Sequence, residues 1–303
     1  EYVLEEGPRH EWLGDPTIAT AAWLSLVGFV LFLERSLRSA GPIVKLSPFR
    51  HSSFVLACIF SLVIGFGLYA STYLVPVFLG RVRGYDSLQI GTTVFVTGVA
   101  QILSTVVAAR LSQRVDARWT ISVGLLLFAA SLWLFSAMTP EWGFAALFWP
   151  QVLRGFATML CIVPSVNMAL NGFALAELRY ASGLFNLMRN LGGAIGIAVV
   201  NTWLIDHTRI HIARLGESLG EAGRQAPDAV AQLAGRIGQF TADSAHALLM
   251  AQGEIGRLVS RTATTLAFDD VFRLMAWMFV AALLLVPFSR QPAHAPAVPV
   301  ETH

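Results

Sequence analysis

The stretch Ala181–Trp203, ASGLFNLMRNLGGAIGIAVVNTW, is long enough to cross a bilayer yet carries polar groups that a plain anchor does not need. At about 100° per residue, Asn186, Arg189, Asn190, Gly193 and Asn201 fall within about one third of the helix circumference, while Leu187, Leu191, Ile195 and Val199 point elsewhere. One face is polar and the rest suits lipid. The segment therefore reads as the wall of a working membrane protein rather than a tether.

Composition agrees. With 55% hydrophobic residues, 13% charged and a mean hydropathy of +0.62, the chain is far more apolar than a soluble domain, which makes it a polytopic membrane protein. A net charge of +2, with basic residues scattered over short connections, is too small to suggest a nucleic-acid partner, and none is expected. Cys58 and Cys161 both lie in apolar runs, so neither a disulfide framework nor a CxxC redox or zinc motif exists, and they read as packing residues.

Residues 1–16 are acidic and turn-rich and lack the basic and apolar regions of a signal peptide, and a start without Met is expected of a fragment of something longer. The first span is predicted over Thr17–Leu33, about the minimum crossing length, within a segment 17–34. In the linker 35–52, Arg35, Arg38, Lys45 and Arg50 mark a cytoplasmic loop, which places the start outside. Six further spans are expected at Phe54–Leu79, Leu88–Ala109, Trp119–Met138, Gly143–Met168, Ala181–Trp203 and Val271–Phe288, forming one unit over 53–289. Arg110, Arg114 and Arg118 put the connection after the third span inside. The tail 290–303, rich in Pro and Ala, is expected to be disordered and cytoplasmic. Residues 207–267 are too polar to cross. Ile212, Leu215 and Leu219, then Val230, Leu233, Ile237 and Phe240, recur every three or four residues, predicting a set of amphipathic outside helices, with Pro227 in the first turn of the second.

Arg154 falls near the middle of its span, where a guanidinium costs about 2.5–3.5 kcal/mol unless paired or wet. Gln151, Thr158, Cys161 and Ser165 share its sector. Arg154 either lines a cavity and holds a substrate group, with Gln151 and Thr158 beside it, or is a structural residue tied to backbone carbonyls. Asn186 and Asn190 are pathway residues on the opening stretch, whereas Arg189 either contacts substrate or snorkels toward a cytoplasmic gate. Gly192, Gly193 and Gly196 suit close helix packing. Tyr69 and Tyr73, with Phe66, are aromatic wall candidates for flat apolar compounds. Gln101 is a further pathway candidate, on a polar face shared with Thr93, Thr97 and Ser104 that also suits interhelical hydrogen bonds.

Asp269 and Asp270 precede Arg273 by four and three residues, so a local ion pair is expected. His207 and His211, spaced i, i+4, lack a third metal ligand in the sequence, and no metal site is expected. No nucleophile with a nearby base, phosphate loop or paired intramembrane carboxylates is visible, so an enzyme is not expected.

Several stretches together resemble the major facilitator superfamily, in its fourteen-span EmrB/QacA-type multidrug efflux branch: PIVKLSPFRHSSF, YLVPVFLGRVRGYDSLQIG, ARLSQRVDARW, PQVLRGFATM, ASGLFNLMRNLGGAIGIAVVNTWL and FDDVFRLMAW. The resemblance covers nearly the whole chain. It implies an all-α membrane fold of seven transmembrane helices, the last six forming the C-terminal half of a transporter whose N-terminal half is missing here, and the first belonging to a pair inserted between halves. Substrate would lie between the halves. ARLSQRVDARW is similar to the repeat of the family's Gly-x-Leu-x-Asp-Arg loop, with Ala109 for the Gly and Gln113 for the Asp, which assigns Arg110, Arg114, Asp116 and Arg118 to gating. The resemblance also implies export of small molecules across a bacterial inner membrane, driven by the proton gradient without a cofactor, with the proton-binding acids in the other half. A periplasmic adaptor and an outer-membrane channel are the implied partners, besides membrane lipid. Two alternatives remain at this point: export of one dedicated metabolite, lipid or siderophore, and a non-transporting scaffold that recruits a periplasmic partner.

Overall fold

A computed structural model describes residues 3, 14–38, 45–171, 173–221, 231–232, 234–236 and 244–288. Seven long helices run through them: α1 Pro16–Arg38, α2 Ser52–Phe78, α3 Ser87–Arg114, α4 Ala117–Phe135, α5 Phe144–Leu170, α6 Leu175–Glu221 and α7 Ser244–Leu283. Helices α2 to α7 are long and apolar enough to cross a membrane, and α1 contributes a shorter apolar stretch, Pro16–Phe32.

Local chemistry sets the ends. Pro76 withholds an N–H inside α2, and a π turn, Leu79–Arg83, closes at Gly84 with φ 68°. Asp86 then opens α3 with a reciprocal capping box to Gln89. Asp116 caps α4 by accepting from the Arg118 backbone N–H, so its place is structural whatever else it does.

The helices pair as α2 on α6, α3 on α5, α4 on α5, and α7 on both α4 and α6. At the α2–α6 crossing the backbones meet. A Cβ on Gly192 would sit 2.1 Å from the Leu62 carbonyl oxygen, and one on Gly65 2.1 Å from that of Arg189, so only glycine permits this approach. Gly193 lies against the Tyr69 ring and Gly196 against the Phe66 backbone. Aromatic pairs fill the core beside α7: Phe128 stacks on Phe279 at 4.3 Å and Phe135 on Phe272 at 5.1 Å. Cys58 and Cys161 are buried free thiols in this packing.

Alternation along the chain places the turns 79–86 and 136–143 at one end, where α6 ends and α7 begins. Arg261 of α7 ties that end together, donating to the carbonyls of Val82 at 3.0 Å and Pro140 at 2.8 Å. At 1.5 Å per residue α6 is about 70 Å long and α7 about 60 Å, against about 30 Å of hydrocarbon. Both therefore project well beyond the membrane at this end. This corrects the expectation of separate outside helices: residues 207–221 continue α6, and 244–267 are the first half of α7. Polar residues do not end a helix that meets water. Pro227, Val230, Leu233, Ile237, Phe240 and the tail 290–303 lie outside the described residues.

Candidate functional site

Two polar constellations occupy the bundle. The first is sealed. Gln151 of α5 is fully buried, its Nε2 donating to the Thr93 carbonyl at 2.8 Å while its Oε1 accepts from the Thr97 hydroxyl at 3.0 Å. Arg154, 1% exposed, donates through Nη2 to the Thr97 hydroxyl oxygen at 3.0 Å, and its guanidinium lies 5.7 Å from the centre of the Phe135 ring. Its Nε and Nη1 have no hydrogen-bond partner among the described residues. Thr158 is also fully buried and donates to the Arg154 carbonyl. Gly155 admits α3, since a Cβ there would lie 2.5 Å from the Thr97 carbonyl oxygen.

Helices α3, α4 and α5 close over Arg154, Gln151 and Thr158, which is the geometry of the second of the two readings, with a hydroxyl rather than backbone carbonyls holding Arg154. Thr93, Thr97 and Ser104 are the α3 side of that closure, Ser104 donating to the Phe156 carbonyl at 2.6 Å. Gln101, half-buried on the same helix, sits away from this line of bonds and its carbonyl accepts from Thr105.

The second constellation is open at Tyr69, Asn186 and Asn190, while Tyr73 is half-buried and Asn201 buried. Along the α2–α6 contact, Tyr69 is 40% exposed and donates to Asn190 Oδ1 at 3.2 Å, and Tyr73 donates to Asn201 Oδ1 at 3.2 Å. Arg189 is half-buried, donating to Asn186 Oδ1 at 3.0 Å and lying 5.3 Å from the Phe185 ring centre. Asn186, Asn190 and Thr72 are exposed beside them. Tyr69 lies about 26 Å along α2 from Ser52 and Arg189 about 21 Å along α6 from Leu175, so the seam sits well inside both helices. Phe66 is buried in the crossing and does not join this wall.

At the other end of the bundle Arg110, Arg114 and Asp116 are exposed and Arg118 is half-buried. The sequence reading missed the bond that braces this end, Asn167 Nδ2 donating to Ser112 at 2.8 Å between α5 and α3. Ser112 lies within ARLSQRVDARW, but Asn167 belongs to another helix fifty-five residues on, so no local signal marks the pair.

A model of the Major Facilitator Superfamily matches residues 14–197. The chain belongs to this superfamily. It is 35% identical over 291 residues to the colistin resistance protein EmrB of Acinetobacter baumannii, an alignment covering 96% of this chain and 56% of the relative. It is 25% identical over 294 residues to the multidrug export protein EmrB of Escherichia coli K12, with the same two coverages. The fatty acid resistance protein FarB of Neisseria gonorrhoeae is 22% identical over 296 residues, 97% of this chain and 57% of that protein. These relatives set the chain in the EmrB-type branch of the superfamily. The chain spans little more than half of their length.

An exposed face of a membrane-spanning helix meets lipid, water or other protein. Lipid suits α3, which exposes Phe95, Ile102 and Leu103. It does not suit a seam of Tyr, Asn and Arg.

A third group lies where α6 leaves its apolar segment. Asp270 Oδ2 is 3.0 Å from His207 Nδ1 and 2.8 Å from His211 Nε2, while Arg273 Nη1 stands 3.9 Å from Asp270 Oδ1. Asp269 accepts from the Met138 backbone N–H at 3.1 Å. The expected local ion pair is present as Asp270–Arg273, but Asp270 also serves α6, and Asp269 serves the α4–α5 turn. The two histidines also gain the third ligand atom that their spacing lacks, since all three groups lie within 4.8 Å of one another.

Proposed function

We propose that this chain is the C-terminal part of a proton-coupled exporter of amphipathic drugs or similar small molecules in a bacterial inner membrane. The observation that carries this reading is the open α2–α6 seam, whose polar groups need water, solute or protein against them at membrane depth. Tyr69, Tyr73, Asn186 and Asn190 present rings and amides to the path, with Arg189 beside them. Their neighbour is the N-terminal half, which supplies the proton-binding acids. The names of the relatives, which include multidrug export and colistin resistance proteins, support drugs as the substrate class.

In this reading 1–16 is periplasmic, 17–34 is the inserted helix, 35–52 the cytoplasmic linker, 53–289 the transporter half and 290–303 the cytoplasmic tail. The prolonged α6 and α7 then stand in the periplasm within 207–267, where they suit contact with an adaptor that leads to an outer-membrane channel. Arg110, Arg114, Asp116 and Arg118 lie on the cytoplasmic face and gate it.

The test is dye export by the intact transporter in liposomes under an imposed proton gradient. Export that collapses with the gradient is the expected result. Failure with every amphipathic cation and anion tried, in protein shown to be folded, refutes the proposal.

A further inference from the structure

The cluster at the junction of α6 and α7 is not needed for export as described above. We propose that His207, His211 and Asp270 bind one divalent transition-metal ion of the zinc class, which pins the projecting part of α6 to α7. The two imidazoles rise from one helix face at i, i+4 and converge on a single carboxylate oxygen from the other helix. A clamp between helices needs one such bond. Two rings aimed at one point make an N, N, O donor set with a fourth position left for water, the arrangement that zinc takes with two histidines and a carboxylate.

The dimensions fit. Bonds of about 2.0–2.1 Å in a tetrahedral site put donor atoms about 3.3–3.4 Å apart. The two histidine nitrogens stand 3.0 and 2.8 Å from Asp270 Oδ2, so entry of the ion asks for a parting of tenths of an ångström on those two edges, while the nitrogens, within 4.8 Å of each other, turn toward the ion. Side-chain exposures of 30%, 15% and 30% leave an entry path without dispersing the donors. Nitrogen donors select zinc, cobalt, nickel or copper over magnesium and calcium, which prefer all-oxygen shells. Arg273 opposes a cation here but faces the other oxygen, Oδ1, and Asp206 and Asp269 adjoin the ligands in sequence.

Zinc(II) is titrated by calorimetry into the intact transporter, stripped with a chelator and held in detergent, with magnesium(II) as a control. One zinc ion per chain is expected, with no magnesium heat, and the unfolding temperature should rise on binding. Cobalt(II) in the same protein should give the strong visible absorption of a four-coordinate ion. His207→Gln and His211→Gln keep a hydrogen bond to Asp270 while removing a nitrogen ligand, so each should fold and bind at least about tenfold more weakly, the least that even outer partners of a metal cost. Zinc binding undiminished in the His207→Gln/His211→Gln double variant overturns the site. So does absence of stoichiometric zinc binding or of the four-coordinate cobalt spectrum in the unsubstituted protein. None of these readouts depends on what is exported.

Discussion

The sealed knot on α3 and α5 and the open seam on α2 and α6 use similar side chains to opposite ends. In the knot, Arg154 is 1% exposed and Gln151 fully buried, so protein alone must meet the cost of a charge in the membrane. It does so in part, through a chain of donors from Arg154 to Thr97, Thr97 to Gln151 and Gln151 to the Thr93 carbonyl, which leaves Arg154 Nε and Nη1 without a partner among the described residues. In the seam, Tyr69 remains 40% exposed and Asn186 and Asn190 are open. A polar group sealed on all sides fixes two helices; one left open waits for something to arrive. Polarity inside a span therefore does not identify a path until its exposure is known.

The largest effect should come from the crossing that holds the seam together. Gly192→Leu drives a side chain into the Leu62 backbone, where even a Cβ would approach within 2.1 Å. Folded, monodisperse protein should be nearly lost in size-exclusion profiles. A normal profile would show that α2 and α6 part without penalty and that the seam is not built by this contact. Next comes Thr97→Val, nearly isosteric, which removes the only acceptor described for the Arg154 side chain. Stability should fall by about 1.5–3 kcal/mol, the worth of a buried hydrogen bond to a charged group. Export per folded molecule should stay near its original level, because the knot is closed to solvent. Unchanged stability with lost export would reverse the assignment of the two constellations.

The spans were legible because hydropathy over some twenty residues is a property of the local sequence. Ala181–Trp203 shows how far this goes. Its polar face and its packing glycines could be placed from a 3.6-residue period, but the length of its helix could not. Residues 207–221 change from apolar to polar without a proline, and the helix runs on through Gly216, so the boundary that sequence suggested is where the helix leaves the membrane, not where it ends. Arg154 was legible as expensive and not as sealed, since Thr97 and Phe135, which cover it, belong to other helices. The same holds for Asp270. Its neighbour Arg273 is visible at three residues' distance, while His207 and His211 lie some sixty residues away and reach it only because α6 and α7 run side by side.

The smallest effect is the most discriminating. Tyr69→Phe removes one hydroxyl and one bond, to Asn190, and keeps the ring against Gly193. Interhelical hydrogen bonds in bilayers average about 0.6 kcal/mol, so the unfolding transition should hardly move. Export should respond differently if the seam is the path. Asn190 would lose its partner on the exposed face and the ring would offer substrate no hydroxyl, so KM for a hydrogen-bonding dye should rise by about 2–10-fold, the worth of roughly 0.5–1.5 kcal/mol of neutral hydrogen bonding. A purely apolar dye should be spared. An equal loss for both dyes would mean that Tyr69 acts through the α2–α6 contact, and the open seam would then be packing that faces the other half of the transporter.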